Sequence, residues 1–188
     1  MATWSTVSTH GIFCLDLENR PGPYGGQDFT FKHMISVAGQ FDRKPKSMRY
    51  IAPGFSADDL EAFVEPLREA NMVVTHNGFR HDLPLLNGTL VKMGLSPLPT
   101  LLVSDTYAHL IKRGQAFSAS LGNLCQRFDV KDQKGSMGEP MWERVYEGDP
   151  AALLHLEAYN KGDVRATLAL RHKLLDLGLL KPPSRWRP

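Results

Sequence analysis

The stretch FCLDLEN, residues 13–19, places two carboxylates, Asp16 and Glu18, in a run that otherwise has the composition of a buried β-strand. A sheet core favours Phe13, Leu15 and Leu17, but it excludes ionised carboxylates unless a partner compensates their charge. Side chains two residues apart on a strand point to the same face, so Asp16 and Glu18 are expected side by side. An isolated pair of this kind usually forms a surface salt bridge. The other remedy is a shared divalent cation, for which oxygen ligands favour magnesium or manganese.

Length and composition indicate one compact domain over residues 1–188. Hydrophobic residues make up 42% of the chain and charged residues 22%, which is enough apolar material for a substantial core. We find no apolar run near the ~20 residues that span a bilayer, and residues 1–10 lack the layout of a secretion signal. Cys14 and Cys125 form no ligand or disulfide framework. We therefore expect a cytoplasmic protein without a membrane partner.

The net charge of +2 is too small to identify a partner. Two clusters of basic residues stand out, one before residue 50 and one in the C-terminal tail, residues 178–188. The members are Arg43, Lys44, Lys46 and Arg49 in the first, and Lys181, Arg185 and Arg187 in the second. Such clusters are most often solvated surface, and they permit a nucleic-acid partner without demonstrating one.

The first third of the chain has the pattern of strands. Alternating and β-branched residues predict strands over 11–18, 29–41 and 47–52, joined by loops rich in glycine and proline. Three successive strands of this kind predict an antiparallel meander.

From residue 56 the pattern changes to alternating helices and strands. Predicted helices cover 57–70, 82–94, 108–113, 120–128 and 150–177, and predicted strands cover 72–76 and 100–105. The connection over 131–140 is the best candidate for a mobile loop. The whole pattern predicts an α/β fold, with a mixed sheet that is antiparallel in its first three strands, then parallel, and flanked by helices.

Further polar residues recur at particular places in these elements. Asn77 and Asp82 lie where a buried strand runs into a helix, and Asp82 is also suited to capping that helix. Tyr159 and Asp163 are four residues apart in the last long helix, hence on one face. Gly162 between them lowers helix propensity, which indicates close approach by a neighbour or ligand.

These segments resemble the DEDD superfamily of 3′–5′ exonucleases on the ribonuclease H-like fold, specifically the tyrosine (DEDDy) subgroup. The first motif is Asp16-Leu17-Glu18, the second resembles HNGxxxDLPxL with Asn77 and Asp82, and the third, YxxxD, is Tyr159 to Asp163. The resemblance extends from about residue 11 to 176. His81 departs from it, because many members have an aromatic residue there.

The resemblance implies a mechanism that uses two divalent cations, Mg²⁺ or Mn²⁺. Asp16, Glu18 and Asp163 would hold the cation that generates the attacking hydroxide, and Asp16 would also reach the second cation. Asp82 would bind or orient the waters of that second cation. Tyr159 would orient the attacking water, since a phenol with a pKa near ~10 is a poor base at neutral pH.

Substrate contacts are expected, by analogy, from Leu17, Asn77, Phe79 and His81, with core or local structural roles as the equal alternative. The implied substrate is the 3′ end of DNA, single-stranded, with release of nucleoside monophosphates. A 3′–5′ exoribonuclease, a structure-selective endonuclease and an idle nucleic-acid-binding module are the alternatives. A bacterial or phage role in DNA replication or repair would require a separate polymerase or repair partner.

Overall fold

The computed structural model describes residues 11–19, 34–107, 119–131 and 136–188. The predicted helix over 108–113 lies outside these residues, as do the start of the second predicted strand and most of the loop before it. Within the described residues no helix is both long enough and apolar enough to cross a membrane.

The described residues form a mixed six-stranded sheet in the order β3-β2-β1-β4-β5-β6. The strands are β1 (Ile12–Asn19), β2 (Met34–Phe41), β3 (Arg49–Ile51), β4 (Met72–Thr75), β5 (Leu101–Asp105) and β6 (Ser184–Trp186). The pairs β1–β2 and β2–β3 are antiparallel, and β1–β4 and β4–β5 are parallel. This confirms the predicted antiparallel meander followed by parallel strands.

Five α-helices flank the sheet in the described part of the chain. They are α1 (Ala57–Glu69), α2 (Asp82–Lys92), α3 (Leu121–Arg127), α4 (Glu139–Tyr146) and α5 (Pro150–Asp176), and a short 3-10 helix covers Pro45–Ser47. The α1 helix begins with a complete capping box, in which Ser56 and Asp59 each accept from the other's backbone N–H. Asp149 caps α5 by accepting from the backbone N–H groups of Ala151 and Ala152.

The two faces of β1 pack against different helices. Phe13, Leu15 and Leu17 belong to the main core cluster with residues of α1 and α2, whereas Cys14 packs with Val164 of α5. Strand alternation therefore directs the even-numbered side chains, Asp16 and Glu18 among them, toward the α5 side of the sheet.

The far half of α5 is anchored by an ion cluster at the end of β2. The Asp42 carboxylate lies 2.9 Å from Nε2 of His172 and 3.7 Å from Nη1 of Arg171. Burial opposes ionisation of Asp42, but the hydrogen bond and charge of His172, together with the charge of Arg171, lower its pKa overall. The cluster holds α5 against the sheet beyond the segment that carries Tyr159 and Asp163.

The sequence did not predict β6 or α4. The segment KPPSRWRP, residues 181–188, has two adjacent prolines and no apolar alternation, yet Ser184–Trp186 pairs antiparallel with β5. Trp186 is opposite Leu101 and is 5% exposed in the main core cluster. Burial of the Trp186 side chain thus holds the polar C-terminal segment against the edge of β5.

We expect Trp186→Ala to lower the free energy of unfolding by about 3 kcal/mol or more, because it removes a large buried aromatic side chain from the main core. Urea unfolding monitored by far-UV circular dichroism measures this. Arg185→Ala on the exposed face of the same strand is the matched control, with an expected change below about 0.5 kcal/mol. Equal losses for the two variants would contradict the anchoring role of Trp186.

Candidate active site

Three carboxylates from two elements meet on the α5 side of the sheet. Oxygen atoms of Asp16, Glu18 and Asp163 all lie within 4.8 Å of one another. Asp16 and Glu18 are partly buried, and Asp163 is 2% exposed. The first and third predicted motifs, which are separated by most of the chain, therefore form one acidic group.

Asp163 reaches this group because α5 buries a stripe of residues that includes several polar side chains. Asn160, Asp163, Val164 and Thr167 are all buried on the face of α5 that packs against the sheet. Cys14 fixes the approach of the helix to β1, since its thiol donates to the carbonyl oxygen of Val164 at 3.7 Å.

The fourth predicted carboxylate, Asp82, is held by the backbone of β1. The parallel ladder with β4 covers Ile12 to Cys14 of β1, so the strand continues past its partner. Oδ1 of Asp82 accepts the backbone N–H of Leu17 at 3.1 Å, and Nδ1 of His81 lies 3.6 Å from Oδ2. Asp82 thus lies beside the first motif, but it is not part of the group of three carboxylates within 4.8 Å.

Tyr159 lies one turn before Asp163 on α5 and is partly buried. The i, i+4 spacing places both side chains on one face of the helix, as the sequence predicted. Its side chain is partly exposed and therefore accessible to water.

Asn160 is a site residue that the sequence did not reveal. Its side chain is fully buried, and Nδ2 donates to Oδ2 of Asp16 at 2.7 Å and to the main-chain oxygen of Asp16 at 3.0 Å. Its Oδ1 accepts from Oγ of the buried Ser36 at 3.3 Å. The sequence offered one signal for Asn160, its position between Tyr159 and Asp163 of the third motif.

A second residue outside the predicted set, Asp105, organises the loop between β4 and α2. Its carboxylate accepts the backbone N–H groups of Asn77 at 2.9 Å, Phe79 at 3.0 Å and Tyr107 at 3.0 Å. Asn77 has a positive φ of 66°, a conformation that asparagine tolerates better than most residues. At Gly78 an added Cβ would lie 2.4 Å from Cβ of Thr75, so only glycine fits. The loop that leads to Asp82 is therefore fixed by its backbone.

The four predicted substrate-contact residues differ in burial. Leu17 is 4% exposed in the main core cluster, so it offers little surface, although its N–H holds Asp82. Asn77, Phe79 and His81 are partly buried on the fixed loop before α2. Phe79 also packs against the main core. Contact of these residues with a substrate stays a prediction.

Carboxylates of the site raise the pKa values of two neighbouring groups, in addition to the effect of burial. Burial raises the pKa of the Cys14 thiol well above its usual value, and the charges of Asp16, Asp42 and Asp82 raise it further. Burial likewise raises the pKa of Tyr50 to about 12, with the charges of Glu157 and Glu18 adding to the effect. Positive charge supplied to the site would relieve this repulsion.

The donor set fits a hard divalent cation. Carboxylate oxygens are the ligands that magnesium and manganese prefer. Two oxygens bound to one magnesium ion lie at most about 4.2 Å apart, because each bond is about 2.1 Å long. A spread of up to 4.8 Å needs only a small inward adjustment. Asp16, Glu18 and Asp163 are therefore the residues that could hold such an ion.

Comparison with known families agrees with this architecture. A family model described as RNase_H superfamily matches residues 13–175, which include all three motifs. The chain belongs to the RNase H superfamily. This confirms the predicted ribonuclease H-like fold, while the tyrosine subgroup within the DEDD exonucleases stays a prediction.

The RNase H fold is also found in a much larger solved protein. The structure of the family B DNA polymerase from the hyperthermophilic archaeon Pyrobaculum calidifontis matches 87% of this chain, with a TM-score of 0.67 and 19% sequence identity. The matched region is 24% of the polymerase chain, so this protein spans about a quarter of its length. No curated protein sequence matches this member of the RNase H superfamily. At such low identity the likeness establishes the fold.

We expect saturating Mn²⁺ or Mg²⁺ to raise the melting temperature by about 5 °C or more, because a cation bound only by the folded state stabilises it and relieves the repulsion. Asp163→Asn should raise the melting temperature without metal and lose most of the response to it. Differential scanning fluorimetry with and without EDTA measures both effects.

The matched control is Asp58→Asn, which neutralises an exposed carboxylate on α1. It should keep the full response to metal. A wild-type melting temperature that does not change at millimolar Mn²⁺ would contradict the proposed cation site.

Proposed function

We propose that the protein is a metal-dependent nuclease that hydrolyses terminal phosphodiesters of single-stranded DNA in the 3′–5′ direction. The observation that carries the proposal is the meeting of Asp16, Glu18 and Asp163 within 4.8 Å, with Asp82 bonded to the backbone of the first motif. A group of carboxylates directed at one point repels a phosphate unless cations are bound there. This arrangement therefore favours phosphodiester chemistry over simple nucleic-acid binding.

In this proposal the three clustered carboxylates hold the cations. When bound, Mg²⁺ or Mn²⁺ supplies a nucleophilic water at neutral pH and neutralises negative charge on the phosphoryl group and the leaving oxygen. Asp82 is fixed by the backbone of Leu17, so its carboxylate is available to orient water on its other side. All four acidic residues of the predicted motifs thus have a role.

Tyr159 orients the attacking water through its hydroxyl group. An ordinary phenol has a pKa near ~10 and is a poor base at neutral pH, so hydrogen bonding is its natural contribution. Its position one helical turn before Asp163, on the same face of α5, supports this role.

The loop before α2 offers the best surface for the terminal nucleotide. Asn77 and His81 present polar groups and Phe79 an aromatic ring, and Asp105 fixes the backbone that carries them. Hydrogen bonding and base stacking by these side chains would retain a single-stranded end near the carboxylates.

We expect the protein with Mn²⁺ to shorten 5′-labelled single-stranded DNA that has a free 3′ end. The same labelled DNA with a blocked 3′ end should persist. Asp16→Asn should lower the rate by more than about 100-fold, because removing a direct ligand costs more than removing a residue that only supports one. Denaturing gel electrophoresis measures product length, and Asp58→Asn is the matched control.

The same assay with labelled RNA and with circular single-stranded DNA tests the alternative activities. Preferred hydrolysis of RNA would indicate an exoribonuclease, and a cut circle would indicate an endonuclease. Tight nucleic-acid binding with no hydrolysis under either metal would contradict the proposed activity and indicate a binding module.

A further inference from the structure

The buried side chain of Asn160 connects α5 to β1 and β2 through three polar contacts. It bonds both the carboxylate and the main-chain oxygen of Asp16, and it accepts from Ser36 on β2. A buried amide without partners would be costly, so the site that surrounds Asn160 is built to satisfy it. The contacts concern one residue of the acidic group in particular, Asp16.

The chemistry of these partners dictates which way the amide points. Both atoms of Asp16 near Asn160 are acceptors, so the NH₂ group must face them, and Oδ1 then faces the hydroxyl of Ser36. A flipped amide would set two acceptors against each other at 2.7 Å. Asn160 therefore has one orientation, and it holds Asp16 in one conformation.

The group that donates to Oδ2 of Asp16 is a neutral amide, and a neutral donor does not repel a cation. A lysine or arginine at the same place would also bind Oδ2 of Asp16, but its charge would repel a cation nearby. The amide engages Oδ2 without cancelling the negative charge of the carboxylate. It thereby fixes the direction of Oδ1 and preserves the attraction for metal.

We propose that Asn160 is a positioning residue that orients Asp16 for metal binding, and that Ser36 orients Asn160 in turn. The inference rests on the proposed function in so far as it assumes a cation at Asp16. A hydrogen bond that only joined α5 to the sheet would affect folding stability and leave metal affinity unchanged.

The test compares Mn²⁺ affinity, measured by isothermal titration calorimetry, with stability, measured by melting in EDTA. Asn160→Ala should weaken Mn²⁺ binding by about 10- to 100-fold, the usual effect of removing a partner of a metal ligand. Ser36→Ala keeps the amide and should weaken binding by a smaller factor of about three to ten.

Asn87→Ala is the matched control, because Oδ1 of Asn87 accepts the backbone N–H of Leu98 at 2.8 Å, away from the acidic group. It should lower the melting temperature and leave Mn²⁺ affinity unchanged. Wild-type affinity in Asn160→Ala, or in Ser36→Ala if the first variant does not fold, would overturn the proposal. Mn²⁺ binding without nuclease activity would defeat the proposed function, while the dissociation constants would still decide the role of Asn160.

An independent observation concerns Gly162, in the middle of α5. A Cβ added there would meet, among the described residues, one atom within 4 Å, Nη2 of Arg165 at 3.9 Å. Glycine in a helix interior costs about 1 kcal/mol relative to alanine. The packing of the described residues gives no reason for this cost. Gly162 lies three residues after Tyr159, so the two positions share a face of α5.

We infer that Gly162 keeps this space clear for the nucleic-acid strand next to Tyr159. This inference also rests on the proposed function. A side chain at position 162 would then obstruct a polymeric substrate while leaving the carboxylates intact, and it would strengthen the helix. Stability and activity should therefore change in opposite directions.

Gly162→Ala and Gly162→Leu test this, with Gly88→Ala and Gly88→Leu in α2 as matched controls. Gly88 is a mid-helix glycine with no described atom within 4 Å of an added Cβ. All four variants should melt about 2–4 °C higher. Gly162→Leu should raise KM for single-stranded DNA by about tenfold with little change in kcat, and Gly88→Leu should not.

A small chromogenic substrate, the p-nitrophenyl ester of thymidine 5′-monophosphate, separates obstruction from damage to the site. Its hydrolysis should change less than about twofold in Gly162→Leu. A lower melting temperature of Gly162→Ala would mean that the position is packed by the chain itself, and would overturn the inference. Unchanged KM for DNA in Gly162→Leu would overturn it as well.

Discussion

The protein must hold three carboxylates within 4.8 Å of one another against their mutual repulsion. Two unit charges at that distance repel by about 3 kcal/mol at an effective dielectric constant of ~20. The chain withstands this because Asp16 and Glu18 are on a central strand of the sheet, and Asp163 is on a long helix packed across it. Core contacts hold both elements in place. The folded state therefore holds like charges close together, and a cation bound there would relieve their repulsion.

Neutral polar groups support the acidic residues, and Asp105 supports the loop beside them. Asn160 binds Asp16 through a neutral amide, the N–H of Leu17 binds Asp82, and Asp105 accepts three N–H groups of the loop before α2 and of the segment that follows β5. Arg171 and His172 pair with Asp42 at the end of β2. These contacts anchor the far end of α5 to the sheet.

Local patterns predicted the parts of the fold that depend on local chemistry. Strand alternation separated Leu15 and Leu17 from Asp16 and Glu18, and helical spacing placed Tyr159 and Asp163 on one face. The strand β6 was missed because its proline-rich segment is stabilised by the burial of Trp186 rather than by a strand pattern. Asn160 was missed because an asparagine in a helix has no periodic signature, and its partner lies 144 positions away in the sequence.

The amino-acid sequence by itself determined the order of β1 to β5 with α1, α2, α3 and α5, the acidic motifs, and which side chains share a face within an element. These properties follow from backbone geometry and from residue preferences over a few positions. Tertiary structure alone decided that β1 and α5 bring Asp16, Glu18 and Asp163 together, that Asn160 and Ser36 hold Asp16, and that the backbone of β1 holds Asp82. Such contacts join residues far apart in the chain. They therefore form only when the helices pack on the sheet and the buried polar groups become hydrogen-bonded.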